Sequence, residues 1–182
     1  SAYELSLSGS VAGFSVLTQT SRGHVDAGGL APDSFTDKRL RREAKTATFD
    51  RNKGQVVFSA AGDTYPIVPG IQDRLSWMTQ LAALVEADPG LRTSGARVPM
   101  FVVGARGDGE TWEFAFERSE AVRAEGTPVQ AAKFTRRPRK PDDSEVHVWL
   151  DPARHHLPIL ARLGEGPGDD PLELRLRSLR LP

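Results

Sequence analysis

The sequence predicts a mainly β fold: a curved antiparallel sheet or open β-barrel of about eleven strands, with one long amphipathic helix on its concave side. Three observations carry this. Apolar and polar residues alternate with period two in short segments along most of the 182 residues. The separators between them carry Gly, Pro, Asn and Asp, the residues of turns. A single stretch switches to the helical period. A sheet of that width does not stay flat, so it is expected to curl, with the helix filling the hollow side.

The elements follow in order. Residues 3–8 and 13–20 alternate around Gly9-Ser10 and Ala12-Gly13 and read as a hairpin. Residues 21–33, rich in Gly and Asp, read as a loop. Residues 34–42, 45–50 and 55–60 read as three more strands, with Gly54 closing the turn after Asp50. Pro66 and Pro69-Gly70 end that pattern. Residues 71–87 then place apolar side chains at Ile71, Leu75, Met78, Ala82 and Val85, with Trp77, Leu81 and Leu84 widening the stripe. This predicts a helix that turns Leu75, Met78, Ala82 and Val85 toward the sheet and ends at Asp88-Pro89-Gly90. After it, residues 98–103, 111–118, 129–137, 145–150, 157–163 and 172–179 return to period two. Leu172, Leu174 and Leu176 oppose Glu173, Arg175 and Arg177, and Trp112, Phe114 and Phe116 share one side of another strand.

Length and composition bound the rest. A chain of 182 residues predicts one domain spanning 1–182, and 38% hydrophobic with 26% charged residues is the balance of a folded, non-membrane chain. Lys plus Arg and Asp plus Glu are 24 each, so no global field draws the protein to nucleic acid or an anionic surface. With no cysteine there are no disulfides, thiolate nucleophiles or Cys-based metal sites. The sequence opens Ser1-Ala2-Tyr3 without a charged-then-apolar leader, so any export signal is expected to lie outside it, and composition does not set a location.

The stretch Pro69-Gly70-Ile71-Gln72-Asp73-Arg74-Leu75-Ser76 resembles a motif of the bacterial exported-protein family called domain of unknown function 3108 (DUF3108). So do Thr20-Ser21-Arg22-Gly23, Gly29-Leu30-Ala31-Pro32, Phe49-Asp50-Arg51, Val56-Val57-Phe58-Ser59, and the tail from Val148-Trp149-Leu150-Asp151 to Leu157-Pro158. The resemblance runs over nearly the whole chain. It implies a periplasmic or otherwise exported protein with a fold similar to envelope lipoprotein carriers. It supplies no activity and no catalytic residues.

Candidate sites are few. His147, Asp151, His155 and His156 lie close in sequence, but Asp151 is expected at a hairpin end, and His155 and His156, adjacent in a strand, are expected to face opposite ways. No metal or other cofactor is assigned. No serine sits in a Gly-x-Ser-x-Gly elbow. The segment 104–109 is glycine-rich but links two strands, so it lacks the helix N-terminus that binds phosphate. The run Arg136-Arg137-Pro138-Arg139-Lys140 is followed by Asp142, Asp143 and Glu145 and has no interleaved aromatic rings, so it reads as a solvated strand end without nucleic-acid binding. Arg74 falls inside the apolar stripe of the expected helix. It is expected to be substantially buried and bonded to a carboxylate or to carbonyls.

Three functions remain open. The first is non-enzymatic binding of an apolar, lipid-like or amphiphilic ligand in the curved sheet, with Trp77, Trp112, Phe114 and Phe116 as walls and Arg74 at the polar edge. The second is a scaffold with a solid core and an envelope protein as its partner. The third is a hydrolase or metal enzyme built from His147, Asp151, His155 and acids such as Glu113.

Overall fold

The computed structural model describes every residue except 61, 140–142, 144, 165–171 and 179–182, together with the side chain at position 11. Strand accounts for 59% of the described residues, which makes the fold mainly β, and these residues contain one α-helix. The described residues form thirteen strands rather than about eleven. β1 (Ala2–Val11), β2 (Phe14–Asp26), β3 (Gly29–Arg39), β4 (Lys45–Asp50), β5 (Gln55–Phe58) and β6 (Thr64–Pro66) form one antiparallel meander in chain order. β7 (Gln72–Asp73), β8 (Arg97–Val103), β9 (Gly109–Ala124), β10 (Thr127–Arg136), β11 (Val146–Asp151), β12 (Leu157–Leu163) and β13 (Leu172–Arg175) form a second, curved sheet, also in chain order. β7 and β8 run parallel, a departure from the wholly antiparallel expectation. Among the described residues each sheet has two edges, so neither closes on itself. The chain packs as two compact units, residues 1–80 with 100–112 and residues 81–99 with 113–182.

In the first unit, alternation sets the core. Ala47 and Phe49 of β4 and Val56 and Phe58 of β5 point inward to meet Phe35, Ile71 and Val103, all of them buried. Leu5 and Leu7 of β1 pack against the same cluster.

The expected loop at 21–33 is instead the end of a long hairpin. β2 continues to Asp26 and β3 begins at Gly29. Gly and Pro stand there because the backbones crowd. Gly23 pairs with Tyr3 across β1, and a Cβ on Gly23 would lie 2.3 Å from the Ala31 carbonyl oxygen and 2.9 Å from the Tyr3 ring. Pro32 is accommodated because the ladder between β2 and β3 shifts register beside it.

The helix, α1, spans Trp77–Ala87 and so starts six residues later than the periodicity predicts. Residues before it are claimed by β7 and by a cap. Asp73 Oδ1 accepts the Leu75 and Ser76 backbone N–H groups at 2.8 Å each, and the Asp73 N–H donates to Ser76 Oγ at 3.0 Å. This reciprocal pair is a capping box, which fixes where the helical turns begin. Ile71 is apolar because it enters the core of the first unit, not because it sits on a helix. Trp77, Leu81, Ala82 and Val85 are buried, whereas Met78 is only half-buried, a correction to its expected inward position.

In the second unit, Ala124, Ala131, Trp149, Ile159 and Leu160 form a smaller core that Val122, Val129 and Leu176 cover. The end of the strand expected at 172–179 lies outside the described residues, as do Lys140 and Asp142 of the charged run. Arg136, expected in solvent, is 2% exposed, and its Nη2 donates to both oxygens of Asp143 at 2.8 Å.

Candidate functional site

The first unit carries an open cleft of about 270 Å³. One wall is the turn between β2 and β3. Asp26 Oδ1 accepts the Gly28 N–H at 2.7 Å, and Gly29 follows at φ +103°, a conformation glycine adopts without strain. Two buried amides hold this turn from beneath. Gln80 accepts the Leu30 N–H and donates to the Gly28 carbonyl, both at 2.7 Å, while Gln72 donates to the Leu30 carbonyl at 2.7 Å. A Cβ on Gly29 would meet Gln80 Oε1 at 2.3 Å, so the clamp needs glycine there.

The facing wall is the apolar segment from Ile67 to Ile71, between β6 and β7. It is a tight turn, with the Ile71 N–H bonded to the Val68 carbonyl at 3.1 Å and Gly70 at φ +74°. Arg51 completes the lining. Its Nη2 donates to the Pro32 carbonyl at 2.9 Å, and its Nε lies 3.5 Å from Asp33 Oδ1. Asp33 also meets His24 at 3.2 Å. The cleft therefore has aliphatic walls from Leu30, Ile67, Val68 and Ile71 and one group of each charge, Asp26 and Arg51.

Below the strands of the same unit runs a buried polar chain. Ser21 Oγ donates to Asp73 Oδ2 at 2.6 Å, which leaves Tyr3 to donate to Ser21 across 3.2 Å. Burial pushes the Tyr3 hydroxyl up to about 12 and raises Asp73 above its usual range against the hydrogen bonds from Ser21, Ser76 and Leu75. Ser21 is fully buried, so the chain fixes structure and offers no nucleophile.

The residues expected to bind ligand lie as follows. Arg74 stands in the turn before α1, and its side chain is 31% exposed, so it is less buried than the helical-wheel argument predicts. It does bond to carboxylates, at 2.7 Å to Asp108 and 3.6 Å to Glu110, and its guanidinium sits 4.8 Å from the Trp112 ring centroid. Trp77 and Trp112 are buried and meet edge to face at 5.7 Å. In the second unit, Phe114 is buried and Phe116 is half-buried against Phe134 at 5.6 Å. None of these five lines the cleft.

The histidines separate. His155 and His156 both adopt positive φ, 53° and 54°, in a turn rather than in a strand. Both can therefore reach one partner, and their Nδ1 atoms meet the two oxygens of Glu86 at 3.2 and 2.5 Å. Those bonds, from His156 first, hold Glu86 below its usual range. Asp151 instead caps the following turn by accepting the Ala153 N–H at 2.9 Å, and Glu113 lies beside Arg97 at 3.8 Å.

His147 joins a different group, with Thr135 and Lys133 of β10, both buried. A register shift between β9 and β10 brings in Glu117, which accepts the Thr135 hydroxyl at 2.6 Å, while His147 Nδ1 lies 3.1 Å from the same hydroxyl. The Thr135 bond, aided by Lys133, holds Glu117 down at about 2, and burial with the Lys133 charge lowers His147. The order resembles a triad but runs the wrong way. The hydroxyl gives its proton to the carboxylate, so His147 must donate to Thr135 and cannot activate it. Among the described residues no group of three or more His, Asp or Glu side chains is disposed to hold a metal ion. No described helix is long and apolar enough to cross a membrane.

The fold and cleft define a mainly β protein of two sheets with an open, largely aliphatic groove on the first. The chain belongs to the DUF3108 family, described as a protein of unknown function, whose profile matches residues 1–176. Neither a curated protein nor a solved structure matches it.

The cleft was not legible because its walls come from turns far apart in sequence. The two glutamines that brace it carry no motif.

Proposed function

We propose that this protein is a non-enzymatic binding protein that takes a small apolar or amphiphilic ligand into the cleft between the β2–β3 turn and residues 67–71. The observation that carries this reading is the pre-formed aliphatic groove of about 270 Å³ braced by buried Gln72 and Gln80. Rigid, concave and mostly apolar walls with few polar groups are what small-ligand sites share, and this volume suits a ligand at the small end of that class. Bracing from beneath removes part of the ordering cost of binding. Placement here rather than at Arg74, Trp77 and Trp112 rests on the pairing of those three with Asp108 and with one another.

The test is titration with the neutral fluorescent probe N-phenyl-1-naphthylamine. Val68 lines the cleft, is 36% exposed and lies outside the buried core, so Val68→Asp alters the groove without entering the interior. The expected result is at least tenfold weaker probe binding with an unchanged thermal melt. Equal affinity in the variant and the parent would remove the cleft as the site.

A further inference from the structure

From the two charged groups that share the cleft, we infer that its ligand is a small zwitterion with an apolar body, the size and chemistry of a dipeptide with aliphatic side chains. This inference rests on the binding role proposed above and specifies its ligand class. Arg51 spends one Nη2 hydrogen on Pro32 and turns Nε toward Asp33, and the Nη1 edge of its fork has no other partner among the described residues. That edge suits a carboxylate, which a guanidinium grips through paired N–H donors. Asp26 uses Oδ1 for the Gly28 N–H, and Oδ2 has no bond to a described residue. It suits an ammonium group.

Charge argues against the simpler alternatives. A plain anion, such as a fatty acid, would meet Arg51 with Asp33 beside it and Asp26 on the same cleft, so two carboxylates would oppose one guanidinium. A plain cation would meet Arg51. A sugar would leave its hydroxyls against Leu30, Ile67, Val68 and Ile71. A molecule with one charge of each sign and aliphatic side chains satisfies both groups and fills the walls.

Isothermal titration calorimetry with L-leucyl-L-leucine, its N-acetyl form, its C-terminal amide and octanoate tests this, with N-phenyl-1-naphthylamine displacement in parallel. The free dipeptide is expected to bind and displace the probe, with each capped form at least tenfold weaker. In Asp26→Asn, which keeps the acceptor for Gly28, acetylation should no longer matter. In Arg51→Met, amidation should no longer matter. Capped forms binding as well as the free dipeptide, or octanoate binding while the dipeptide does not, would overturn the zwitterion and leave the cleft as an apolar site. Probe and peptides all failing to bind would overturn both readings.

Discussion

Replacing Gly23 by Ala is expected to cost about 3 kcal/mol of stability, because the new methyl has no direction in which to relax. Its nearest neighbours would be the Ala31 carbonyl oxygen at 2.3 Å, the Pro32 Cα at 2.8 Å and the Tyr3 ring at 2.9 Å. Two of these are backbone atoms of β3, so the clash must open the β2–β3 ladder or displace the β1 partner. Urea unfolding measures the effect. A loss below about 0.5 kcal/mol, the range of an inert surface change, would mean that the strands are not packed this closely.

The second large effect is expected at Asp73. Asp73→Ala removes the acceptor for two backbone N–H groups and for the Ser21 hydroxyl, all in a buried place. Loss of a helix cap together with stranded buried donors predicts a cost of about 3 kcal/mol or more. The same carboxyl gives a pH signature. Its folded pKa lies above the unfolded value of 3.8, mainly through burial. Between 3.8 and the raised value the native state keeps a proton that the unfolded state has released. Stability from this group therefore falls as pH rises through that window and is flat above it. Glu117, held at about 2, acts in the opposite sense, with stability lost as pH falls from 4.5 toward 2. The difference between the parent and Asp73→Asn isolates the first effect. The parent should lose stability relative to the variant as pH rises from 3.8. A difference independent of pH would contradict the buried, proton-retaining carboxyl.

Gly23 and Asp73 also mark where the sequence misleads. Alternation at Ala47, Phe49, Val56 and Phe58 reports burial directly, so the central strands of the first sheet are readable, as is the turn at Gly54, which has φ +67°. At residues 21–33 the rule inverts. Gly23 and Pro32 imitate a loop, although they sit in strands whose backbones leave no room for a side chain. Ile71 and Leu75 imitate the first turn of a helix because their spacing suits one, yet Asp73 between them ends a strand and caps the turn that follows. Arg74 follows from the same error. A helical wheel puts it among apolar residues where it would need burial, whereas in the turn it reaches Asp108 at the surface. His155 and His156 share a partner because consecutive left-handed residues undo the alternation of a strand.

The claim that the protein binds a small ligand in the cleft is tested most directly by two-dimensional ¹H–¹⁵N NMR titration with L-leucyl-L-leucine and with N-phenyl-1-naphthylamine. The account predicts saturable shifts concentrated at the amides of Gly28, Leu30, Arg51, Val68 and Gly70, from at least one of the two. Shifts centred instead on Trp77, Trp112 and Phe116, or no saturable shift from either, would contradict it.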